Sequence, residues 1–176
     1  MSLRLFHPAR RRGFLLACGL LAGWVALDAP AAPPASVEPI ARFTDNGNGT
    51  VTDRLTGLIW LKNANCFGLK LWTAALSSAN GLASGSCGLS DGSTAGQWRL
   101  PSINEFQSLI DYTRSYPTLP ADYATYFTGV QSSNYWSSTT YAPVTSYAWL
   151  VYLSVGDVYA NDKTNTLYVW PVRGGQ

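Results

Sequence analysis

The chain has 176 residues, with 12 Lys and Arg against 10 Asp and Glu, one His, three Cys and seven Trp. Its only His lies in the first 31 residues, and without them 8 basic and 9 acidic groups give a formal charge of −1. Such a composition excludes Ser-His and Cys-His nucleophiles, His-ligated zinc and a basic surface for nucleic acid. We therefore expect no catalytic residue, no metal, no cofactor and no nucleic-acid partner.

Residues 1–31 are predicted to be a signal peptide. Arg10, Arg11 and Arg12 precede an uncharged run from Gly13 to Leu27, and small residues follow at 29–31. The run would rise about 22 Å as a helix, less than a hydrocarbon core of about 30 Å, so cleavage is favoured over a membrane anchor. We expect an exported protein located in the periplasm, at the cell surface or outside the cell.

The same segment leaves other export routes open. Residues 11–15 resemble the twin-arginine pattern, residues 15–18 resemble a lipoprotein box ending at Cys18, and Gly13-Phe14 resembles a prepilin site. Membrane contact would then arise only through an N-terminal anchor or a lipid. Residues 32–40 are rich in Pro and Ala and are predicted to be an extended tether.

The following elements are predicted in chain order. The turn residues Asn46-Gly47-Asn48-Gly49 lie between two segments of alternating apolar and polar residues, a pattern that predicts a β-hairpin over 42–53. The apolar residues 58–61 predict a third strand. Residues 71–79 have apolar side chains at helical spacing and end at Asn80-Gly81. A second helix follows Ser102, which forms a capping box with Glu105.

Aromatic and β-branched runs at 135–139, 148–153 and 167–173 predict a return to strands, with residues 152–166 as a loop region. Helices grouped in the middle of the chain, rather than alternating with strands, indicate an α+β fold with antiparallel sheets and two main helices.

Two cysteines remain after the signal peptide, Cys66 and Cys87. In an exported chain they are expected to form a disulfide, which is worth roughly 3 kcal/mol for a loop of about 20 residues. A redox pair or a metal site is the less favoured alternative, since two isolated thiols without His make a poor metal site.

Five blocks of the chain carry a family resemblance. They occur at residues 43–53, 56–60, 98–102, 135–139 and 171–175. These blocks are similar to the bacterial Lcl C-terminal domain family, named after an adhesin's C-terminal module. The resemblance implies a C-type lectin-like domain over 41–176, related in architecture to formylglycine-generating enzymes, in which the N- and C-terminal strands pair and the last third displays a ligand surface.

Two mechanisms of these relatives do not transfer to this chain. Formylglycine-generating enzymes use cysteines late in the domain, and this sequence has none after Cys87. The Glu-Pro-Asn, Gln-Pro-Asp and Trp-Asn-Asp motifs of calcium-dependent lectins are absent as well. The resemblance therefore implies a non-catalytic module that binds a protein or glycan ligand at the cell surface.

The last third supplies the predicted ligand-binding residues, because Tyr and Trp offer large contact areas and Asn and Asp adaptable hydrogen bonds. They are Tyr141, Tyr147, Tyr152, Asp157, Tyr159, Asn161, Asp162, Asn165 and Trp170. Trp149 belongs to the same aromatic set, but Trp136 and Trp149 are expected to pack in the core.

Residues 135–175 also resemble the variable region of proteins diversified by retroelements, which randomise adenines in Asn codons. Among residues 137–169, only Trp149 and Lys163 cannot be reached from an Asn codon in this way. The same composition is common in exposed β-loops, so both interpretations stay open.

A receptor or adhesin is thus the leading functional hypothesis, with two alternatives. One is a structural subunit of a pilus or envelope assembly that retains its N-terminal segment. The other is a polysaccharide hydrolase with two carboxylates about 5–10 Å apart, drawn from Asp111, Asp122, Asp157 and Asp162.

Overall fold

Two β-sheets and three helices make up residues 41–174, the part of the chain that the computed structural model describes. The predicted signal peptide and tether therefore lie outside the described residues. The elements are β1 (Phe43–Asp45), β2 (Thr50–Asp53), β3 (Leu58–Leu61), β4 (Leu69–Leu71), α1 (Trp72–Asn80), α2 (Ile103–Gln107), α3 (Tyr123–Tyr126), β5 (Asn134–Thr140), β6 (Tyr147–Tyr152), β7 (Asp157–Asp162), β8 (Thr166–Tyr168) and β9 (Val172–Gly174). This arrangement confirms the predicted α+β class.

The first sheet has the strand order β1-β2-β3-β9 and is antiparallel throughout. Its β1–β2 hairpin confirms the predicted turn, in which Gly47 and Gly49 take positive φ angles of 72° and 84°. The C-terminal strand β9 lies in the same sheet as β1 but pairs with β3, placing Leu58 opposite Gly174. The expected direct pairing of the terminal strands is therefore wrong, because β2 and β3 lie between β1 and β9.

The second sheet has the order β4-β8-β5-β6-β7, with a single parallel pair, β5 and β8. Two predictions are corrected here. The predicted strand over 167–173 is two strands, β8 and β9, which belong to different sheets. Residues 157–162, predicted within a loop region, form β7 and pair with β6 along six residues.

Both predicted helices are present, and α2 is shorter than its apolar pattern suggested. Ser102 accepts a hydrogen bond from the Glu105 amide, and the Glu105 carboxylate accepts one from the Ser102 amide, which confirms the capping box. Arg99 holds the same carboxylate through two hydrogen bonds of 2.6 and 2.8 Å and donates to the Gly174 carbonyl. This arginine thus ties the start of α2 to β9.

Trp170 lies fully buried in an aromatic cluster with Trp60, Phe106, Phe127 and Tyr135. The ring centroids of these four residues lie 5.0–6.2 Å from that of Trp170. Its indole nitrogen donates a 2.8 Å hydrogen bond to the Leu61 carbonyl. The prediction that Trp170 binds ligand is therefore wrong, because both sheets and α2 cover it.

Cys66 and Cys87 form the predicted disulfide, with Cα atoms 5.6 Å apart. It fastens the segment after α1 to the segment after β3. Next to the disulfide, the backbones of Gly49 and Gly88 pack closely together, since a Cβ on Gly49 would come within 2.3 Å of the Gly88 carbonyl oxygen. Within residues 41–174, none of the helices has both the length and the apolar character needed to cross a membrane.

Candidate functional site

The β6–β7 hairpin divides the predicted ligand-binding residues between two faces. Side chains alternate along a strand, so residues paired across the hairpin share a face. One face carries Tyr147, Trp149 and Val151 opposite Asp162, Ala160 and Val158, and the reverse face carries Ala148, Leu150 and Tyr152 opposite Asn161, Tyr159 and Asp157.

The first face forms the floor of an open depression, which we call the trough. One part, of about 350 Å³, is lined by Tyr141, Tyr147, Trp149, Val158, Tyr159 and Ala160. A second part, of about 410 Å³, is lined by Ile103, Asn104 and Gln107 of α2 together with Trp149 and Val158. Both parts share Trp149 and Val158, so they adjoin each other at these two residues.

Trp149 is the central aromatic residue of the trough. It is only half-buried, whereas Trp136 on β5 is fully buried as predicted. The Tyr141 ring meets it at 90° with a centroid separation of 5.0 Å, which is the edge-to-face geometry that aromatic pairs prefer. The expectation that Trp149 packs in the core is therefore wrong, and the pair forms an ordered aromatic surface.

No Asp, Glu, Lys or Arg side chain lines the trough. The Tyr159 hydroxyl is directed to Asn134 beside the reverse face, so the polar groups along the trough belong to Tyr141, Tyr147, Asn104 and Gln107. These groups donate and accept hydrogen bonds without carrying charge. An apolar lining with a few convergent polar groups is typical of a ligand-binding depression.

The reverse face holds two of the predicted residues away from the trough, Tyr152 and Asp157. Beside them the Tyr159 hydroxyl donates a 2.8 Å hydrogen bond to Asn134. Burial raises the pKa of Tyr159, and this hydrogen bond opposes the increase. Tyr159 stays a neutral donor near neutral pH, and it borders the trough while its side chain lies on the reverse face.

Three further predicted residues lie at the end of β7 and in the turn that follows. Asp162 accepts hydrogen bonds from the Thr164 hydroxyl and amide, and these bonds hold the pKa of that carboxyl below its usual value. Asn165 donates to the Asn161 side chain at 2.8 Å. Asn161, Asp162 and Asn165 therefore shape the turn, at the end of the hairpin where Tyr147 lies.

Lys163 fastens this turn to the rest of the sheet. Its ammonium lies 4.0 Å from the centroid of the Trp72 ring and donates to Thr140 Oγ1 and the Thr145 carbonyl. A cation over an indole face adds to these hydrogen bonds. The segment that carries Tyr141 is thus held in place before any ligand arrives.

Of the predicted set, Tyr141, Tyr147 and Tyr159 line the trough. Four further lining residues, Ile103, Asn104, Gln107 and Val158, were not predicted, and Trp149 was expected in the core. No sequence pattern near α2 identifies its residues as part of a site, because only the packing of α2 against β5 and β6 brings them to this surface.

Asp157 and Asp162 do not form a pair of catalytic carboxylates. They lie at opposite ends of β7, five residue steps apart, which is about 17 Å along a strand. They also lie on opposite faces. This pair therefore fails the geometry that the hydrolase alternative requires. Within residues 41–174, no group of three or more His, Cys, Asp or Glu side chains could hold a metal ion.

Comparison with known proteins places the chain in a family. No curated protein matches it significantly. Residues 49–173 match the model of the Lcl C-terminal domain. Since that match spans more than half of the chain, from β2 to β9, the protein belongs to the Lcl C-terminal domain family.

Proposed function

We propose that this chain is an exported, non-catalytic binding protein of the receptor or adhesin type and that the trough is its ligand surface. The observation that carries the proposal is Trp149, a large aromatic residue that stays partly exposed against Tyr141, whereas the core tryptophans of the same fold are fully covered. Exposed aromatic residues in ordered depressions supply much of the binding energy of interfaces.

Export is supported by the basic, apolar and small-residue order of residues 1–31. We therefore place the protein in the periplasm, at the cell surface or outside the cell, in contact with a protein or glycan ligand. A C-type lectin-like architecture would suit this role, since it would display the β6–β7 hairpin at the surface.

Diversification by a retroelement belongs to the same proposal. Tyr141, Tyr147 and Ala160 line the trough and can be reached from an Asn codon, whereas Trp149 and Lys163 cannot. Lys163 fastens the turn and Trp149 lies at the centre of the floor, so both positions suit a fixed scaffold. A near-identical copy of the last ~120 nucleotides that differs only at adenines is expected beside the gene. Its absence would remove diversification and leave binding intact.

The binding test uses the full chain, produced with its export segment and purified after export. It is screened on arrays of glycans and of cell-surface proteins, and each ligand found is titrated against the Trp149→Ser variant. We expect at least tenfold weaker binding, because the central contact of the trough is removed.

Leu55→Ser serves as the matched control. Leu55 is 73% exposed in the first sheet's β2–β3 turn, so the variant removes a comparable exposed apolar group from another surface. Unchanged affinity in Leu55→Ser and weaker binding in Trp149→Ser would support the proposal. Equal affinity in all three proteins would refute the trough as the ligand surface.

A further inference from the structure

The outer edge of β7 has no strand beside it. β7 ends the order of the second sheet, and within the described residues it pairs only with β6. The pairing runs through six residues without a bulge or a proline. A regular, unpaired edge of this length is a template for another extended segment.

The register shows which backbone groups face outward. The Lys163 amide donates to the Ser146 carbonyl at 2.9 Å, one position beyond the pair of Tyr147 and Asp162. Because hydrogen-bonded and non-hydrogen-bonded pairs alternate in an antiparallel ladder, the N–H and C=O groups of Val158, Ala160 and Asp162 point away from β6.

One of these outward groups is already occupied. The Asp162 amide donates to the Asn161 side chain at 2.9 Å. Val158 and Ala160 thus present adjacent sets of outward donors and acceptors at the middle of the strand. Their side chains lie on the trough face, next to Trp149 and Val151.

We propose that β7 binds an extended peptide segment of another protein as an added antiparallel strand. This inference rests on the proposed function, since alternate side chains of the added strand would extend the trough face beside Val158 and Ala160. Backbone hydrogen bonds would supply affinity in this mode, and the side chains on the trough face would supply selectivity.

Charge selects the partner. Asp157 is exposed at one end of β7, and at the other end Asp162 uses only its Oδ1 atom in the hydrogen bonds from Thr164. A Lys or Arg at each end of the added strand would face a carboxylate, and opposite charges across a ladder are favourable.

A second copy of the chain fits poorly at the same edge. In an antiparallel ladder an outward-facing residue lies opposite another outward-facing residue, so a symmetric self-pairing of β7 places either Ala160 or Tyr159 opposite its own copy. With Ala160 at the centre, Asp162 lies opposite Val158, and Asp157 lies opposite Lys163, whose ammonium is already held by Trp72 and Thr140. With Tyr159 at the centre, Asp157 lies opposite Asn161 and Asp162 opposite Gly156. Neither register gives the two carboxylates a free cation, so the geometry favours a cationic segment from a different protein over self-association.

The opposite edge of the sheet provides an internal control. β4 has three residues and carries Lys70 between Leu69 and Leu71. A cationic peptide that recognised any free strand edge would bind both edges, whereas the proposal predicts binding at β7 alone.

The test uses a capped hexapeptide of sequence KTVTVK and a charge-reversed control, ETVTVE, with the ¹⁵N-labelled protein. In the proposed register the two Lys lie opposite Asp162 and Asp157, and the two Val opposite Ala160 and Val158. We expect KTVTVK to shift the amide resonances of Val158 and Ala160 and to slow their hydrogen exchange, without changes in β4. Affinity should fall with added salt, and ETVTVE should bind at least tenfold more weakly.

Ala160→Pro removes one outward N–H that β6 does not use, a place where sheets accept proline. It should weaken KTVTVK binding at least tenfold, whereas Leu55→Ser, in the β2–β3 turn of the first sheet, should bind like the natural protein. Native tryptophan fluorescence in both variants verifies the fold, and Asp157→Asn with Asp162→Asn tests the charge contribution if Ala160→Pro does not fold.

Several results would overturn the inference. They are KTVTVK shifts at β4, equal binding of KTVTVK and ETVTVE, no binding of either peptide, or a dimer in sedimentation that Ala160→Pro dissociates. If the arrays yield a glycan that depends on Trp149 while KTVTVK does not bind, the strand addition fails and the proposed function stands. If Trp149→Ser changes no binding at all, the proposed function fails by itself.

Discussion

Trp149 and Trp170 show how far two similar residues can differ in role. Both occur in aromatic segments that predict strands, yet Trp170 is fully buried among four other rings between β8 and β9, and Trp149 is half-buried in the trough. Alternation along a strand tells which residues share a face, but not which face another element covers. Strand patterns alone therefore predicted a buried Trp149 and a ligand-binding Trp170, whereas in the structure Trp149 is partly exposed and Trp170 is buried.

The stability of two variants separates these roles. Trp170→Ala should lower the free energy of unfolding by about 3–5 kcal/mol, because it opens a cavity in the core and removes the hydrogen bond to Leu61. Trp149→Ala should cost only about 1–2 kcal/mol, since less apolar area is buried there. Urea denaturation measures both values, and a larger loss for Trp149→Ala would contradict the assignment.

At the scale of elements, the sequence predicted those whose signals are local. The glycines of the β1–β2 turn and the Ser102 and Glu105 capping box act within a few residues, and both were confirmed. β7 was missed because its sequence, Asp-Val-Tyr-Ala-Asn-Asp, is largely polar, and only its pairing with β6 makes it a strand. The two-strand nature of 167–173 likewise depends on which sheet each half joins.

The disulfide stabilises an element that has little regular structure, the segment between α1 and α2. Replacing Cys66 and Cys87 by Ser should lower the free energy of unfolding by about 3 kcal/mol, because the unfolded chain regains the freedom of the closed loop. Thermal unfolding with and without a reductant measures the contribution of the disulfide to stability. The reductant should shift the melting temperature of the natural protein and leave that of the double variant unchanged, and any other pattern would argue against a structural disulfide.

At the scale of the molecule, two ion pairs fasten β9 to the rest of the chain. Arg173 of β9 meets the buried Asp91 carboxylate at 3.0 Å, and Arg99, which donates to the Gly174 carbonyl of β9, holds Glu105. Burial alone would raise the pKa of both carboxyls. At Asp91, hydrogen bonds from Ser93 and the charge of Arg173 outweigh the effect of burial and hold the pKa below its usual value. At Glu105, hydrogen bonds from Arg99 and Ser102 lower the pKa in the same way.

This arrangement predicts acid sensitivity. A carboxyl whose pKa is lowered by folding stabilises the folded state. This stabilisation is fully present above the pKa values of the unfolded chain, 3.8 for Asp91 and 4.5 for Glu105, and it is lost as the pH falls through the pKa values of the folded state. The free energy of unfolding should be level above about pH 5.5 and decrease below about pH 4.5. Asp91→Asn should lower it by about 3 kcal/mol at pH 7, because Arg173 loses its buried partner, and should flatten the acid decrease.

Asp122→Asn is the control for this series, since its exposed side chain forms no capping hydrogen bond at α3. It should retain the stability and the pH profile of the natural protein. An Asp91→Asn profile parallel to that of the natural protein would show that the acid sensitivity arises elsewhere.

The pairing of β9 with β3 determines when the molecule can be completed during synthesis. β3 is made early, but Trp60 gains its partner Val172 and its neighbour Trp170 only after residues 170–174 have left the ribosome. Contacts between such distant positions form slowly and leave apolar surface exposed meanwhile. We therefore expect nascent chains that stop before β9 to remain bound by chaperones, because the first sheet is complete only once β9 pairs with β3.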